Sequence, residues 1–229
     1  MIKRGKKYNN AADAVSKTDV FSLDSALDAV TKTAWAKFDE TISADFVLGI
    51  DPAKGEQAVR GSVLLPNGTG KTVRVAVFAK GDAAESAKSA GADVVGAEDL
   101  VEKITGGWME FDVAVATPDL MGMVGKFARV LGPKGLLPNK KIGTVTLDVA
   151  QVVEDLKKGR VSFRNDKGGG LHVLFGKVSF GSAKLKENLS SLLDAVRASK
   201  PASSKGKFLK KIVISSSMGI GFSVNPDGS

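Results

Sequence analysis

The period of apolar and polar positions changes several times along the chain. Leu23, Ala26, Leu27, Val30 and Ala34 recur at helical spacing behind Ser22, a residue suited to an N-cap. Residues 42–50 then read as a strand, 51–55 as a loop, and 62–65 as a second strand ending at Pro66-Asn67-Gly68. Beyond that turn the character shifts. Residues 73–78 read as a strand, 81–90 as a helix, 93–95 as a short strand, and 97–104 as a helix with Leu100, Val101 and Ile104 inward. Residues 111–116 are a nearly continuous apolar strand. Pro118 suits a first helical position, and a helix runs from it towards Leu131. Residues 149–156 give one more helix, closed by Lys157-Lys158-Gly159.

From Arg160 period two returns. Val161 and Phe163 alternate with Ser162 and Arg164, residues 165–170 read as a hairpin turn, and Leu171, Val173 and Phe175 alternate on the returning strand. Residues 183–199 form an amphipathic helix with Leu185, Leu189, Leu192, Leu193 and Val196 on one face. A basic loop rich in Pro, Ser and Gly follows at 200–207. Two last strands carry Ile212 and Ile214, then Ile220, Phe222 and Val224.

Strands alternating with short helices in the middle predict a parallel sheet covered on both faces. The flanking stretches read as α+β, and neither has enough elements to close a core alone. The expected fold class is therefore α/β and α+β in two domains. Residues 1–66 and 159–229 make one discontinuous domain, and residues 67–158 are inserted into it.

Composition narrows the function. Of 229 residues, 43% are hydrophobic and 25% charged, as in a globular protein. No apolar run approaches the roughly 20 residues that span a bilayer, so no membrane partner is expected. Residues 1–7 are basic but no apolar stretch follows, which reads as a basic arm rather than a secretory signal. There is no cysteine and one histidine, His172. That removes thiol chemistry and argues against a bound metal or a catalytic site, and no cofactor is expected. The net charge of +8 is unevenly placed. Residues 1–66 and 67–158 are each neutral, whereas 159–229 hold twelve Lys and Arg against four Asp and Glu. A localised cationic surface beside glycine-rich stretches suits a polyanion. Aromatics are only 6%, so an RNA partner would be held mainly through backbone, 2′-hydroxyl and shape.

Individual motifs are weaker. Gly68-Thr69-Gly70-Lys71-Thr72 resembles the end of a phosphate-binding loop, but Leu65 stands where its first glycine belongs and a strand follows it. It reads as a turn. Gly168-Gly169-Gly170 and Gly219-Ile220-Gly221 open no βαβ unit and read as turns or close approaches. Arg164, Asp166 and Lys167 frame one hairpin tip, a cation pair beside an acceptor that suits phosphate and 2′-hydroxyl. Asp39-Glu40 and Glu98-Asp99 read as solvated surface. The competing function is a nucleotide- or sugar-phosphate-binding α/β enzyme working through the middle domain.

A stretch from Val124 to Asn139 is more specific: a helix stopped by Gly132-Pro133, then a rigid loop exposing Leu136 and Leu137 between prolines. Together with Leu48-Gly49-Ile50-Asp51, Val59-Arg60-Gly61, Gly159-Arg160, Asn165-Asp166-Lys167 and Ser217-Met218-Gly219, it resembles the ribosomal protein L-one family in its bacterial form, over essentially the whole chain. The resemblance implies a split β-α-β RNA-binding domain with a Rossmann-like three-layer insertion that holds no nucleotide. It implies a non-enzymatic constituent of the large ribosomal subunit, in the cytoplasm and on the ribosome. Implied partners are large-subunit ribosomal RNA at the mobile stalk, the exit-site tRNA whose release the stalk assists, and the messenger RNA of its own operon, which it represses. The free protein is expected to be a monomer. The RNA-facing residues implied are Lys37, Phe38 and Thr41, then Arg164, Asp166, Lys167, Gly168 and His172, then Ser217, Met218 and Gly219. Where the family usually carries Thr this chain has Ser217, which keeps the hydroxyl, and where it carries Pro this chain has Ile220.

Overall fold

A computed structural model describes residues 5–13 and 20–226. Most of the basic arm, residues 1–4, lies outside the described residues; Lys6 and Lys7 open the first helix. The chain begins with α1 (Lys6–Asp13), β1 (Val20–Phe21), α2 (Leu23–Thr33), β2 (Thr41–Leu48) and β3 (Arg60–Leu64). It continues with β4 (Val75–Phe78), α3 (Asp82–Ser89), β5 (Val94–Gly96), α4 (Glu98–Thr105), β6 (Val113–Ala116), α5 (Met121–Gly125), α6 (Ala128–Leu131) and α7 (Val149–Lys158). Then follow β7 (Arg160–Arg164), β8 (Gly170–Lys177), α8 (Gly181–Ala198), β9 (Leu209–Ser216) and β10 (Gly221–Val224). Contacts divide the chain into two compact units, Met1–Gly70 with Val161–Ser229, and Lys71–Arg160.

In the first unit five strands form a sheet in the order β1-β10-β9-β2-β8. β2 pairs antiparallel with both β8 and β9. An N-terminal strand thus lies between two C-terminal strands that α8 connects, so neither end of the chain can complete this sheet alone. Alternation decides the faces. Ile42, Ala44 and Phe46 of β2, Leu171, Val173 and Phe175 of β8, and Ile212 and Ile214 of β9 are buried against Leu27 and Val30 of α2 and Leu185, Leu189 and Val196 of α8. Ser22 caps α2 as its sequence position suggests, accepting from the Ser25 N–H.

The hairpin expected after Arg160 takes a different form. β7 pairs with β3 in a separate two-stranded sheet, while β8 joins the large one. Only an isolated bridge, Asn165 to Leu171, links the two arms of the turn. Asn165 explains the divergence: its Oδ1 and N–H hold the N–H and carbonyl of Val59, turning this point towards β3.

The second unit has three parallel strands in the order β5-β4-β6. Ala76 and Phe78 of β4 face Leu100, Ile104 and Leu131 on one side, and Val75 and Val77 face Ala87, Val149 and Val153 on the other. Helices therefore cover both faces, as the alternating pattern predicts. The helix expected from Pro118 to Leu131 is broken into a 3₁₀ turn (Pro118–Leu120), α5 and α6; Gly122 and Gly125 weaken helical continuity there. Leu136 and Leu137 are half-buried against this core rather than displayed. The Gly68 to Thr72 stretch leads into β4, not into a helix.

Candidate nucleic-acid interface

The second face of the five-stranded sheet has no covering helix among the described residues. Its rungs follow from the register. Thr41 of β2 stands beside Lys177, Ser43 between Leu174 and Ser215, Asp45 between His172 and Val213, and Val47 between Gly170 and Lys211. The residues the sequence singles out fall at the two ends of this face. Six residues of strand separate Thr41 from Val47, about 20 Å.

At the Thr41 end, Lys37 and Phe38 form a bend between α2 and β2, and Ser217-Met218-Gly219 form the turn after β9. Phe38 is 59% exposed and Met218 55%, both large apolar side chains presented to solvent. Ser217 is locked to Thr41: its Oγ donates to the Thr41 carbonyl and accepts from the Thr41 N–H, both at 3.2 Å. Two hydrogen bonds use the hydroxyl proton and one lone pair, so Ser217 Oγ can still accept but not donate. Gly219 is compelled by closeness, since a Cβ there would collide with Ser216 Oγ.

Beneath this end lies a residue that the sequence reading placed at the surface. Glu40 is 1% exposed. Its Oε1 accepts from the N–H groups of Trp35 (3.1 Å) and Ala36 (2.9 Å), and its Oε2 from the N–H of Met218 (3.1 Å). One carboxylate thus ties the Phe38 bend to the Met218 turn. Burial pushes its pKa up, but the adjacent Ser216 hydroxyl and the three backbone N–H groups outweigh that and hold it below the ordinary value. Ser216 Oγ itself makes no hydrogen bond of normal geometry. Asp39 is also engaged, accepting from the N–H and Oγ of Ser179 (3.1 and 2.7 Å). The sequence did hold a signal for Glu40. It stands in the inward phase of β2, two residues before Ile42 and four before Ala44.

At the Gly170 end, Asp166 organises the hairpin tip instead of offering a free acceptor. Its Oδ1 accepts from the N–H of Gly168 (2.8 Å) and Gly170 (2.6 Å). These bonds, with a smaller share from His172, hold its pKa low. The His172 ring sits between two carboxylates, with Nδ1 2.7 Å from Asp45 Oδ1 and Nε2 3.5 Å from Asp166 Oδ2. The hydrogen bond to Asp45, helped by Asp166, raises the imidazole pKa above its ordinary value against the effect of partial burial. Arg164, Lys167 and Gly168 are exposed around it. Asp45 was not among the expected site residues. Its role depends on a register with a residue 127 positions away, which no local pattern carries.

The face therefore offers an exposed ring, a flexible thioether, an ordered hydroxyl, a carboxylate-held imidazole and exposed cations along the three neighbouring strands β8, β2 and β9 and the turns at their ends. Among the described residues there is no group of three or more His, Cys, Asp and Glu that could hold a metal ion, and no helix long and apolar enough to cross a membrane. Set against known families, residues 30–220 match the ribosomal protein L1p/L10e family. That match spans most of the chain and includes β2, the hairpin tip and the Ser217 turn. The family is that of a ribosome-associated, large-subunit protein that binds ribosomal RNA, and it is generally structural rather than enzymatic. The chain belongs to the ribosomal protein L1p/L10e family.

Proposed function

We propose that the open sheet face binds a folded segment of large-subunit ribosomal RNA at the base of the mobile stalk. The observation that carries this reading is the Thr41 end. There Phe38 and Met218 flank a hydroxyl that can only accept, and Glu40 fixes both turns. A 2′-hydroxyl is the donor that distinguishes RNA at such a point. The Phe38 ring would lie on a sugar or base, and the Met218 thioether would adapt to its neighbour. Lys37, Arg164 and Lys167 would contact phosphates, and Gly168 and Gly219 would let the backbone approach. The two compact units then act as an RNA-binding domain and an inserted domain of minor weight in RNA affinity.

On this reading the protein is cytoplasmic, resembles bacterial members of its family, and moves with the stalk as deacylated tRNA leaves the exit site. A messenger segment that mimics the ribosomal site would compete for the same face and be repressed. Binding of the stalk RNA and an unrelated RNA, measured by gel shift at two salt concentrations, tests the proposal. A steep fall with salt is expected, with a clear preference for the stalk RNA. Equal affinity for both RNAs would sink it.

A further inference from the structure

The open face carries little of the chain's surplus charge. Its cations Lys37, Arg164, Lys167 and Lys177 are opposed by Asp39, Asp45 and Asp166, and Lys211 reaches it from the segment that follows. Residues 197–211, by contrast, contain six cations, Arg197, Lys200, Lys205, Lys207, Lys210 and Lys211, and no Asp or Glu. Most of the +8 sits in this one segment.

The segment is anchored, not trailing. Ser204 is buried, and its Oγ donates to the Gly49 carbonyl (3.0 Å). The Gly49 N–H donates to the Phe208 carbonyl (2.6 Å), and Gln57 Nε2 to the Ser203 carbonyl (3.4 Å). Phe208 and Leu209 are buried in the core. Gly49 leaves room for this crossing, because a Cβ there would strike the Lys207 carbonyl and come within 3.3 Å of Lys210 Cε. Arg197, Lys200 and Lys207 line a cleft of about 410 Å³ together with Phe208, Leu209 and Pro226. The nearby carboxylates are already engaged: Asp51 lies 3.6 Å from Lys54, and Asp194 lies 4.0 Å from Arg197. Lys200, Lys205, Lys210 and Lys211 are exposed.

The position matters as much as the charge. Leu48 pairs with Leu209 on one side, and its N–H bonds to the Gly169 carbonyl on the other (3.0 Å). The basic segment therefore enters the sheet beside the hairpin tip, at the Gly170 end of the open face. We propose that residues 197–211 form a second RNA-contact surface. It takes the phosphodiester backbone of RNA that extends past the hairpin tip, and it does not select bases. It rests on the RNA reading of the open face. Cationic side chains on an anchored segment can neutralise phosphates and release counterions, and they present no base-edge acceptor or stacking ring.

The test uses the full chain with Lys200→Gln, Lys205→Gln and Lys210→Gln together. All three side chains are exposed, so the fold should survive; circular dichroism and the unfolding midpoint check this. Binding to a stalk-base ribosomal RNA fragment and to an unrelated duplex RNA of equal length is measured across salt. The plot of log affinity against log salt should become shallower by about 2–3 for both RNAs. The fold-loss should be the same for each, leaving their ratio unchanged. An unchanged slope, or a loss confined to the stalk RNA, overturns the proposal. If the unaltered protein shows no preference for the stalk RNA, the open-face reading fails. A slope that becomes shallower on both RNAs would still uphold the basic surface.

Discussion

At the Thr41 end of the open face, one buried carboxylate gathers three backbone N–H groups and holds two turns in place. At the Gly170 end, two partly exposed carboxylates hold an imidazole, with cations around them. The first end is shaped by desolvated hydrogen bonds, which depend on geometry and little on salt. The second is shaped by charges in contact with water, which salt screens and pH alters. On the proposed reading, the difference separates two tasks within one sheet face. Selectivity belongs where donors and acceptors are few and fixed, and attraction belongs where charges are many and accessible.

Removing the buried carboxylate tests that division most severely. Glu40→Ala leaves three backbone donors without their acceptor and should destabilise the protein by about 3 kcal/mol, read by urea denaturation. A change below about 1 kcal/mol would mean that water replaces the carboxylate and that the two turns are not fixed by it. Next in size, Phe38→Ala and Ser217→Val should each weaken stalk RNA binding by ~1–3 kcal/mol, seen by gel shift. Because Phe38 is largely exposed, its loss should leave the unfolding midpoint unchanged. The comparison breaks if either substitution lowers affinity for unrelated RNA equally.

At the other end the expected effects depend on pH. His172 is the only histidine in the chain, so its ring resonances titrate without ambiguity. Its folded pKa lies above 6.5, because protonation is favoured by Asp45 and then by Asp166. The stabilisation this confers is complete below pH 6.5 and is lost as pH rises through the folded value. RNA affinity should fall over the same upper window, and Asp45→Asn should move both the NMR titration and the affinity curve to lower pH. Coincident curves for the two proteins would remove Asp45 from the account. Smallest of all, Leu174→Gln should change stability by no more than about 0.5 kcal/mol, since Leu174 is 54% exposed. It sits midway between the two ends, so a loss of RNA affinity on this substitution would show that RNA spans the face and does not merely touch its ends.

Much of this is legible in the sequence. Leu185, Leu189, Leu192 and Val196 marked the inner face of α8, and the alternation in β2, β8 and β9 marked which residues point inward. The charge imbalance marked where the surplus of cations lies, in residues 159–229. The exposed residues of the Phe38 bend and the Met218 turn came from resemblance rather than from pattern. Glu40 is legible only through its phase with Ile42 and Ala44, because a charged pair in a connecting segment otherwise looks the same whether water or a ring of N–H groups surrounds it. The hairpin was misread because two alternating strands around a glycine turn usually pair, and only Asn165 bound to Val59 directs β7 away from β8.

The sequence by itself determined the strands, the helices, the inward phase of each and the place of the surplus charge. These follow from periods of two and 3.6 residues and from composition, which are local properties. Tertiary structure alone decided that β2 lies between β8 and β9, that Asp45 meets His172, and that Glu40 reaches Met218 across 178 positions. Each of those contacts needs a register between distant segments. A register is set by packing the whole sheet against its helices, and no short window of residues contains it.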